Sequence, residues 1–222
     1  DLIYGYPLLT DEKWQHNMQQ LIDFEIPHIS SYSMTVESKT ALDHFIKKGL
    51  SPAINPDQAA DQMSFLINTL KARGYEQYEI SNFAKNERYA RHNTKYWKGT
   101  HYLGIGPSAH SFNGVSRSWN ISNNAKYITS INSNQLPFEI EELSTLDQIN
   151  ESIMTSLRTM WGLDLNNMER KFGQSVKNRI LLESAPFLAD KSLIVEEDKL
   201  KLTDAGKLIA DRIMSDLFII ED

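Results

Sequence analysis

Residues 55–80, NPDQAADQMSFLINTLKARGYEQYEI, decide how the first part of this chain folds. Asn55 supplies a cap, Pro56 suits the first helical position, and Asp57 places a negative charge in the first turn. Met63, Leu66, Ile67 and Leu70 recur at helical spacing, so the helix has one core-facing side, and Gly74 stops it. Tyr75–Ile80 follows as a strand. Toward the amino terminus the same alternation repeats. Asp1-Leu2-Ile3-Tyr4-Gly5-Tyr6-Pro7 reads as the last residues of a strand running into a turn. Thr10 can cap a helix over roughly 11–24, with Trp14, Met18, Leu21 and Ile22 at helical spacing. His28–Met34 reads as a second strand, and about 41–48 as another helix. Strands this far apart cannot be hairpin partners, so the pattern predicts a parallel sheet backed by helices. It is the back end of an α/β barrel or open sheet, whose front end is expected to lie outside the chain.

The rest has a different character. Residues 139–222 carry 17 acidic and 10 basic side chains, whereas residues 1–138 carry 12 and 13. Nine of the 22 aromatics fall between Tyr75 and Trp119. A seam near Leu136-Pro137 is therefore expected, dividing residues 1–137 from a second domain over 138–222. In that domain Ser144 caps a helix over about 145–160, and shorter helices follow over 165–172 and 174–189. Lys191–Leu202 alternates as two short strands around Glu197-Asp198, and Thr203 caps a last helix over about 204–217. Helices, a two-stranded wing and a closing helix resemble a winged-helix module. Glu196, Glu197 and Asp198 on that wing argue against duplex binding and for packing or docking to a protein partner.

Composition removes several function classes. Hydrophobic content of 41% argues against disorder. No run of eighteen apolar residues predicts a membrane span, so a cytoplasmic protein is expected. There is no basic excess for nucleic acid. The absence of cysteine excludes disulfides, thiol nucleophiles and cysteine-held clusters within these 222 residues. No Gly-x-Ser-x-Gly elbow, His-Glu-x-x-His helix or Walker loop supports hydrolase chemistry.

Three places carry possible chemistry. In His92-Asn93-Thr94-Lys95-Tyr96-Trp97, a short helix would put His92 and Tyr96 on one face, with Asn93 and Trp97 on the next. A neutral imidazole can ligate iron, aromatic rings can pack on a macrocycle, and Arg88, Arg91 or Lys95 can meet carboxylates. An ordinary amphipathic helix with a surface histidine is the other reading. In Tyr102–Ser111, Gly104 and Gly106 permit close backbone approach to a ligand, or equally a glycine-packed strand and turn. Asp1 is a carboxylate expected at the carboxyl end of a parallel strand, where such sheets bind ligands, and it could accept hydrogen bonds from a ribose.

Together these segments resemble a known family. Asp-Leu-Ile-Tyr-Gly-x-Pro at 1–7, His-Ile-Ser-x-Tyr-Ser-x-Thr-x-Glu at 28–37, Gly-Tyr-x-x-Tyr-Glu-Ile-Ser-Asn-Phe-Ala at 74–84, His-Asn-x-x-Tyr-Trp at 92–97 and Tyr-Leu-Gly-Ile-Gly-x-x-Ala-His-Ser at 102–111 occur in this order. The chain resembles the C-terminal part of radical S-adenosylmethionine proteins related to oxygen-independent coproporphyrinogen III oxidase, in their HemW-type haem-chaperone branch. The tail resembles the HemN-type C-terminal domain more loosely, through its wing and Leu202-Thr203-x-x-Gly206. Tyr6 stands where leucine is usual, and Ser108 where glycine is common. The resemblance implies the last strands of a partial (β/α) radical-SAM barrel, followed by a mostly helical, winged-helix-like domain. It implies S-adenosyl-L-methionine, haem and a [4Fe–4S] cluster, the cluster held outside these residues, so that the chain alone is expected to be inactive. It implies Asp1 at the adenosylmethionine ribose, Thr35 and His110 as further adenosylmethionine contacts, and Gly104 and Gly106 in the ligand-facing loop. His92 is implied as the haem-iron ligand, with Asn93, Tyr96 and Trp97 beside the macrocycle. The implied partners are haem or a porphyrin and a haem-acceptor protein, which can itself be membrane-associated. A coproporphyrinogen oxidase and a protein-docking module are the competing functions.

Overall fold

Local caps explain where the helices begin. In the computed structural model, which describes residues 1–220, Thr10 Oγ1 accepts from Lys13 N, and Asn55 Oδ1 accepts from Asp57 N and Gln58 N. By backbone contacts the described residues form two compact units, residues 1–90 with 203–209, and residues 91–202 with 210–220. Positions 221 and 222 of the expected second domain lie outside the described residues.

The first unit contains β1 (Leu2–Tyr4), α1 (Asp11–Asp23), β2 (His28–Ser33), α2 (Ala41–Lys47), α3 (Pro56–Ala72), β3 (Glu76–Glu79) and β4 (Asn82–Ala84). Trp14, Met18 and Ile22 of α1 and Met63, Leu66, Ile67 and Leu70 of α3 are buried in one cluster with Tyr4, Ile29 and Phe83 of the sheet. The helical stripes read from the sequence are therefore its core. The sheet order is β1-β2-β4-β3. β1 and β2 pair in parallel, Leu2 opposite Ser31 and Tyr4 opposite Ser33, as expected.

The third strand departs from the expectation of an all-parallel sheet. β3 does not neighbour β2, because β4 lies between them and pairs antiparallel with both. Only Ile80 and Ser81 separate β3 from β4, and so short a connection joins antiparallel neighbours. The buried Glu79 carboxylate holds that turn, its Oε2 accepting from Ser81 N at 3.0 Å and Asn82 Nδ2 at 2.6 Å. Asn82 Oδ1 in turn accepts from Ser30 Oγ of β2.

At the base of this sheet, His28 Nε2 lies 2.7 Å from the Tyr78 hydroxyl. Burial holds the His28 imidazole below its ordinary value of 6.5. The unfolded chain therefore takes up this proton first as pH falls. Its stabilising contribution is complete above pH ~6.5 and is lost as pH drops toward the lower folded-state value. Urea unfolding at pH 7.5 and 5.5 should show lower stability at 5.5, and His28→Gln should flatten the difference. An unchanged slope in the variant would assign the dependence elsewhere.

The second unit opens with α4 (Arg91–Trp97), then β5 (His110–Phe112), β6 (Ser116–Asn120), α5 (Asn124–Asn132) and β7 (Phe138–Glu142). β5, β6 and β7 form an antiparallel sheet that the sequence pattern did not reveal. β7 pairs with β6 along its whole length, from Ser116 opposite Glu142 to Asn120 opposite Phe138. The composition seam at Leu136-Pro137 thus falls inside this unit. Side-chain charge changes there, but backbone pairing runs across it.

Next come α6 (Thr145–Leu157), β8 (Leu163–Asp164), α7 (Leu165–Phe172), α8 (Gln174–Ala189), β9 (Leu193–Glu196) and β10 (Lys199–Leu202). Ser144 and Asp147 form a reciprocal capping box at the start of α6. Ile149, Ile153 and Leu157 of α6 are buried, as are Leu165, Met168, Ile180, Leu193 and Leu200. The wing turns at Glu197 and Asp198, both with positive φ (50° and 59°), which suits a tight two-residue hairpin. It has a third strand, β8, paired to β10. The closing helix is interrupted. α9 (Asp204–Lys207), which belongs to the first unit, and α10 (Ala210–Asp216) are separated by Leu208 and Ile209, whose amides bond carbonyls only three residues back. Among the described residues, no helix is long and apolar enough to cross a membrane.

Candidate functional site

α4 is short and ends at Gly99, where φ is +59° and the Lys98, Gly99 and Thr100 amides bond back to Thr94, Tyr96 and Lys95. The expected pairing is present. His92 Nε2 lies 3.0 Å from the Tyr96 hydroxyl, and the two rings meet edge to face at 4.9 Å. His92 is exposed and Asn93 half-buried. The aromatic series continues beyond the helix. Tyr96 meets Tyr102 at 4.7 Å, and Tyr102 meets Phe112 at 6.0 Å, where two backbone hydrogen bonds tie Tyr102 to β5. Trp97 lies under the Arg158 guanidinium, 5.4 Å from its ring centroid. Its indole Nε1 and the Thr94 hydroxyl are buried without a hydrogen-bond partner among the described residues.

A cavity of about 650 Å³ opens within this unit, with walls that include Tyr96, Trp97, Tyr102, Phe112 and Trp161. Lys98 extends over Trp161, its ammonium 4.3 Å from the ring centroid. His101 also lines it and packs so closely on Gly114 that a Cβ there would lie 2.7 Å from the imidazole Nε2. Lys98, Trp161 and Lys171 were not singled out in the sequence. Lys98 follows the His-Asn-x-x-Tyr-Trp segment directly, but Trp161 and Lys171 lie over 60 residues on and carry no local signal.

The glycine loop is committed to internal contacts. A Cβ at Gly104 would lie 2.2 Å from His110 O. Gly104 N donates to Ser111 Oγ and Gly106 N to the Tyr127 hydroxyl, while Asn120 Nδ2 donates to the carbonyls of both glycines. Gly104 serves packing, Gly106 has open space at its Cβ position and a φ of +106°, and both amides already have acceptors. Leu103 and Ile105, 79% and 83% exposed, face outward beside a second cavity of about 540 Å³ that the apolar Leu136, Phe138 and Ile140 also line. His110 is exposed at the start of β5 and faces Trp119 across the ladder, their rings 6.1 Å apart.

In the first unit, Asp1 and Thr35 are both exposed. The expected position of Asp1 needs correction. It lies before Leu2, upstream of Tyr4, where the carboxyl end of β1 is. Thr35 follows the carboxyl end of β2 at Ser33. A strand advances about 3.3 Å per residue, so the pair's register sets Asp1 and Thr35 well apart along the strand direction.

Comparison with known proteins gives these features a context. Residues 143–209 match the HemN C-terminal domain family. The chain is 31% identical over 215 residues to the heme chaperone HemW of Bacillus subtilis, covering 96% of this chain and 56% of that protein. It is 27% identical to the heme chaperone HemW of Lactococcus lactis, covering 100% of this chain and 58% of the relative. A mouse mitochondrial protein named radical S-adenosyl methionine domain-containing protein 1 is 40% identical over 110 residues, half of this chain and 25% of that one. The fold matches the solved coproporphyrinogen III oxidase (HemN) of Escherichia coli with a TM-score of 0.76 at 22% identity, over 98% of this chain and 54% of that one. The chain spans about half the length of the curated relatives it matches. The resemblance recognised in the sequence, and the fold class it implied, are borne out.

Proposed function

From its likeness to the HemW-type haem-chaperone branch of the radical S-adenosylmethionine proteins, we propose that this chain is the haem-handling portion of such a chaperone, which delivers haem to an acceptor protein. The observation that carries the reading is the exposed His92 imidazole, held by Tyr96 on a helix whose other aromatic, Trp97, lines a cavity. Haem here is cargo. An exposed imidazole gives its iron one ligand, and because His92 and Tyr96 are both accessible, their hydrogen bond exchanges readily for ligation and for release. Asn93, Tyr96 and Trp97 frame the macrocycle in this reading.

The remaining groups of the family fit unequally. The chain has no cysteine, and among the described residues no cluster of three histidines and carboxylates could hold a metal ion. The ligands of a [4Fe–4S] cluster therefore belong, in this proposal, to sequence outside these residues. Of the side chains implied for S-adenosyl-L-methionine, Asp1, Thr35 and His110 are each exposed, with Asp1 and Thr35 at separate positions along the β1–β2 pair. Gly104 and Gly106 would act only by shaping the loop, since their amides are engaged.

The test is a haem titration of the natural full-length protein and its His92→Ala variant, followed by Soret absorbance. Wild type should give a ligated Soret band, and the variant should lose it with roughly 10- to 100-fold weaker binding, the scale seen when a metal's coordination is disturbed. Unchanged affinity and spectrum would remove His92 as the ligand. Conversion of coproporphyrinogen III to protoporphyrinogen by the cluster-reconstituted protein would instead establish the oxidase and overturn the chaperone reading.

A further inference from the structure

The charged side chains on the wall of the cavity behind α4 differ in how they are partnered. Two acidic side chains on its wall already have partners: Glu151 is paired with Arg117, and Asp164 caps α7 by accepting from Asn167 N at 2.7 Å. Its two ammonium groups do not. Lys98 lies over Trp161 and Lys171 over Phe172, at 4.3 and 4.8 Å from the ring centroids, and neither has a carboxylate partner among the described residues. Lys171 belongs to a stretch, 139–222, in which acidic side chains outnumber basic ones 17 to 10, so a carboxylate would be the ordinary neighbour. The wall thus combines flat aromatic surface with two ammonium groups that have no carboxylate partner, although the capping Asp164 carboxylate also lies on it.

We propose that this cavity seats a flat, amphipathic dianion, with its ring against Trp97, Tyr102 and Trp161 and its carboxylates on Lys98 and Lys171. Resting on the haem reading above, the ligand is a tetrapyrrole with free propionates, and the two lysines are what distinguishes it from a neutral macrocycle of the same size. The cavity's 650 Å³ is within the range that holds such a molecule. Aromatic walls supply most of the burial, while the ammonium groups of the exposed Lys98 and Lys171, resting on ring faces, are poised to exchange a weak cation–π contact for a charge-assisted hydrogen bond. His92 adjoins the cavity through Tyr96, which lines the wall and whose hydroxyl lies 3.0 Å from His92 Nε2, so iron ligation and carboxylate recognition fall to different residues and can be separated by mutation.

The experiment compares three probes, haem, haem dimethyl ester and metal-free protoporphyrin IX, on the natural full-length protein. Absorbance follows the first two and fluorescence the third. Wild type should bind haem and protoporphyrin, and bind the ester about tenfold more weakly, as expected for loss of a charge pair. Lys98→Gln and Lys171→Gln keep the aliphatic stem and should each weaken haem by about tenfold. The double variant should no longer distinguish haem from its ester. His92→Ala should alter the haem spectrum yet leave protoporphyrin binding sensitive to both lysines. If wild type binds haem but the double variant keeps its affinity and its discrimination, the seat proposed here is wrong and the chaperone reading stands. If wild type binds neither haem nor protoporphyrin, the haem reading fails and takes this seat with it.

Discussion

Gly104→Ala should unfold the β5–β6–β7 part of the chain or destabilise it by roughly 4 kcal/mol, in the range reached only when a side chain is forced into filled space. The new Cβ would lie 2.2 Å from the His110 carbonyl oxygen and under 3 Å from the carbonyl carbons of Ala109 and His110. All three are main-chain atoms held by the ladder to β6, so no rotamer can relieve the overlap. The glycine loop is also braced through Asn120 and Ser111, so moving it would break those hydrogen bonds as well. Gly106→Ala is the natural control. Nothing lies within 4 Å of its Cβ position, and only its φ of +106° opposes substitution, for about 1–2 kcal/mol. Urea unfolding with near-ultraviolet circular dichroism separates the two. A Gly104→Ala protein within about 1 kcal/mol of wild type would show that the loop is not packed as described.

Gln62→Leu should cost about 3 kcal/mol, although it replaces a polar residue in an apolar stripe. Gln62 is 2% exposed. Its Oε1 accepts from Gly5 N at 2.8 Å, where the chain leaves β1 with φ at +72°, and its Nε2 donates to Leu9 O and Asp11 Oδ1. One amide thus ties α3 to the turn after β1 and to the start of α1. Leucine fills the space but leaves the Gly5 N–H buried without an acceptor, and an unsatisfied buried donor costs on the order of 1–3 kcal/mol in addition to the lost bonds. The backbone carbonyl of residue 62 still receives the Trp14 indole N–H, so the helix itself should persist. Chemical unfolding gives the number, and stability equal to wild type would refute the tie.

Helix positions were legible because their signals are local. Thr10, Asn55 and Ser144 cap within three residues, and α7 and α8 begin and end where periodicity and the Gly173 break predict. The wing was legible for the same reason, since two adjacent polar residues with positive φ close it. The His92–Tyr96 pair was as well, because a four-residue spacing on a helix is a contact. What no window of sequence contains is a choice among distant partners.

The short strands β4, β5, β6 and β7 illustrate this in both units. β4 is Asn-Phe-Ala, β6 is Ser-Arg-Ser-Trp-Asn and β7 is Phe-Glu-Ile-Glu-Glu. Strands so short and polar have little alternation of their own, and they become strands only when a neighbour pairs their backbone. That is why the expected parallel triplet became a mixed sheet, and why the change in charge near Pro137 did not mark a division in backbone packing. By itself the sequence determined the family likeness, the helices with their buried faces, the wing turn and the His92 helix. Tertiary structure alone decided which strands pair, that Gly104 and Gly106 spend their polar groups on internal hydrogen bonds, and that Lys98, Trp161 and Lys171 share one cavity wall. Caps and periodicities act within a few residues, whereas pairing and burial depend on groups brought together from far along the chain.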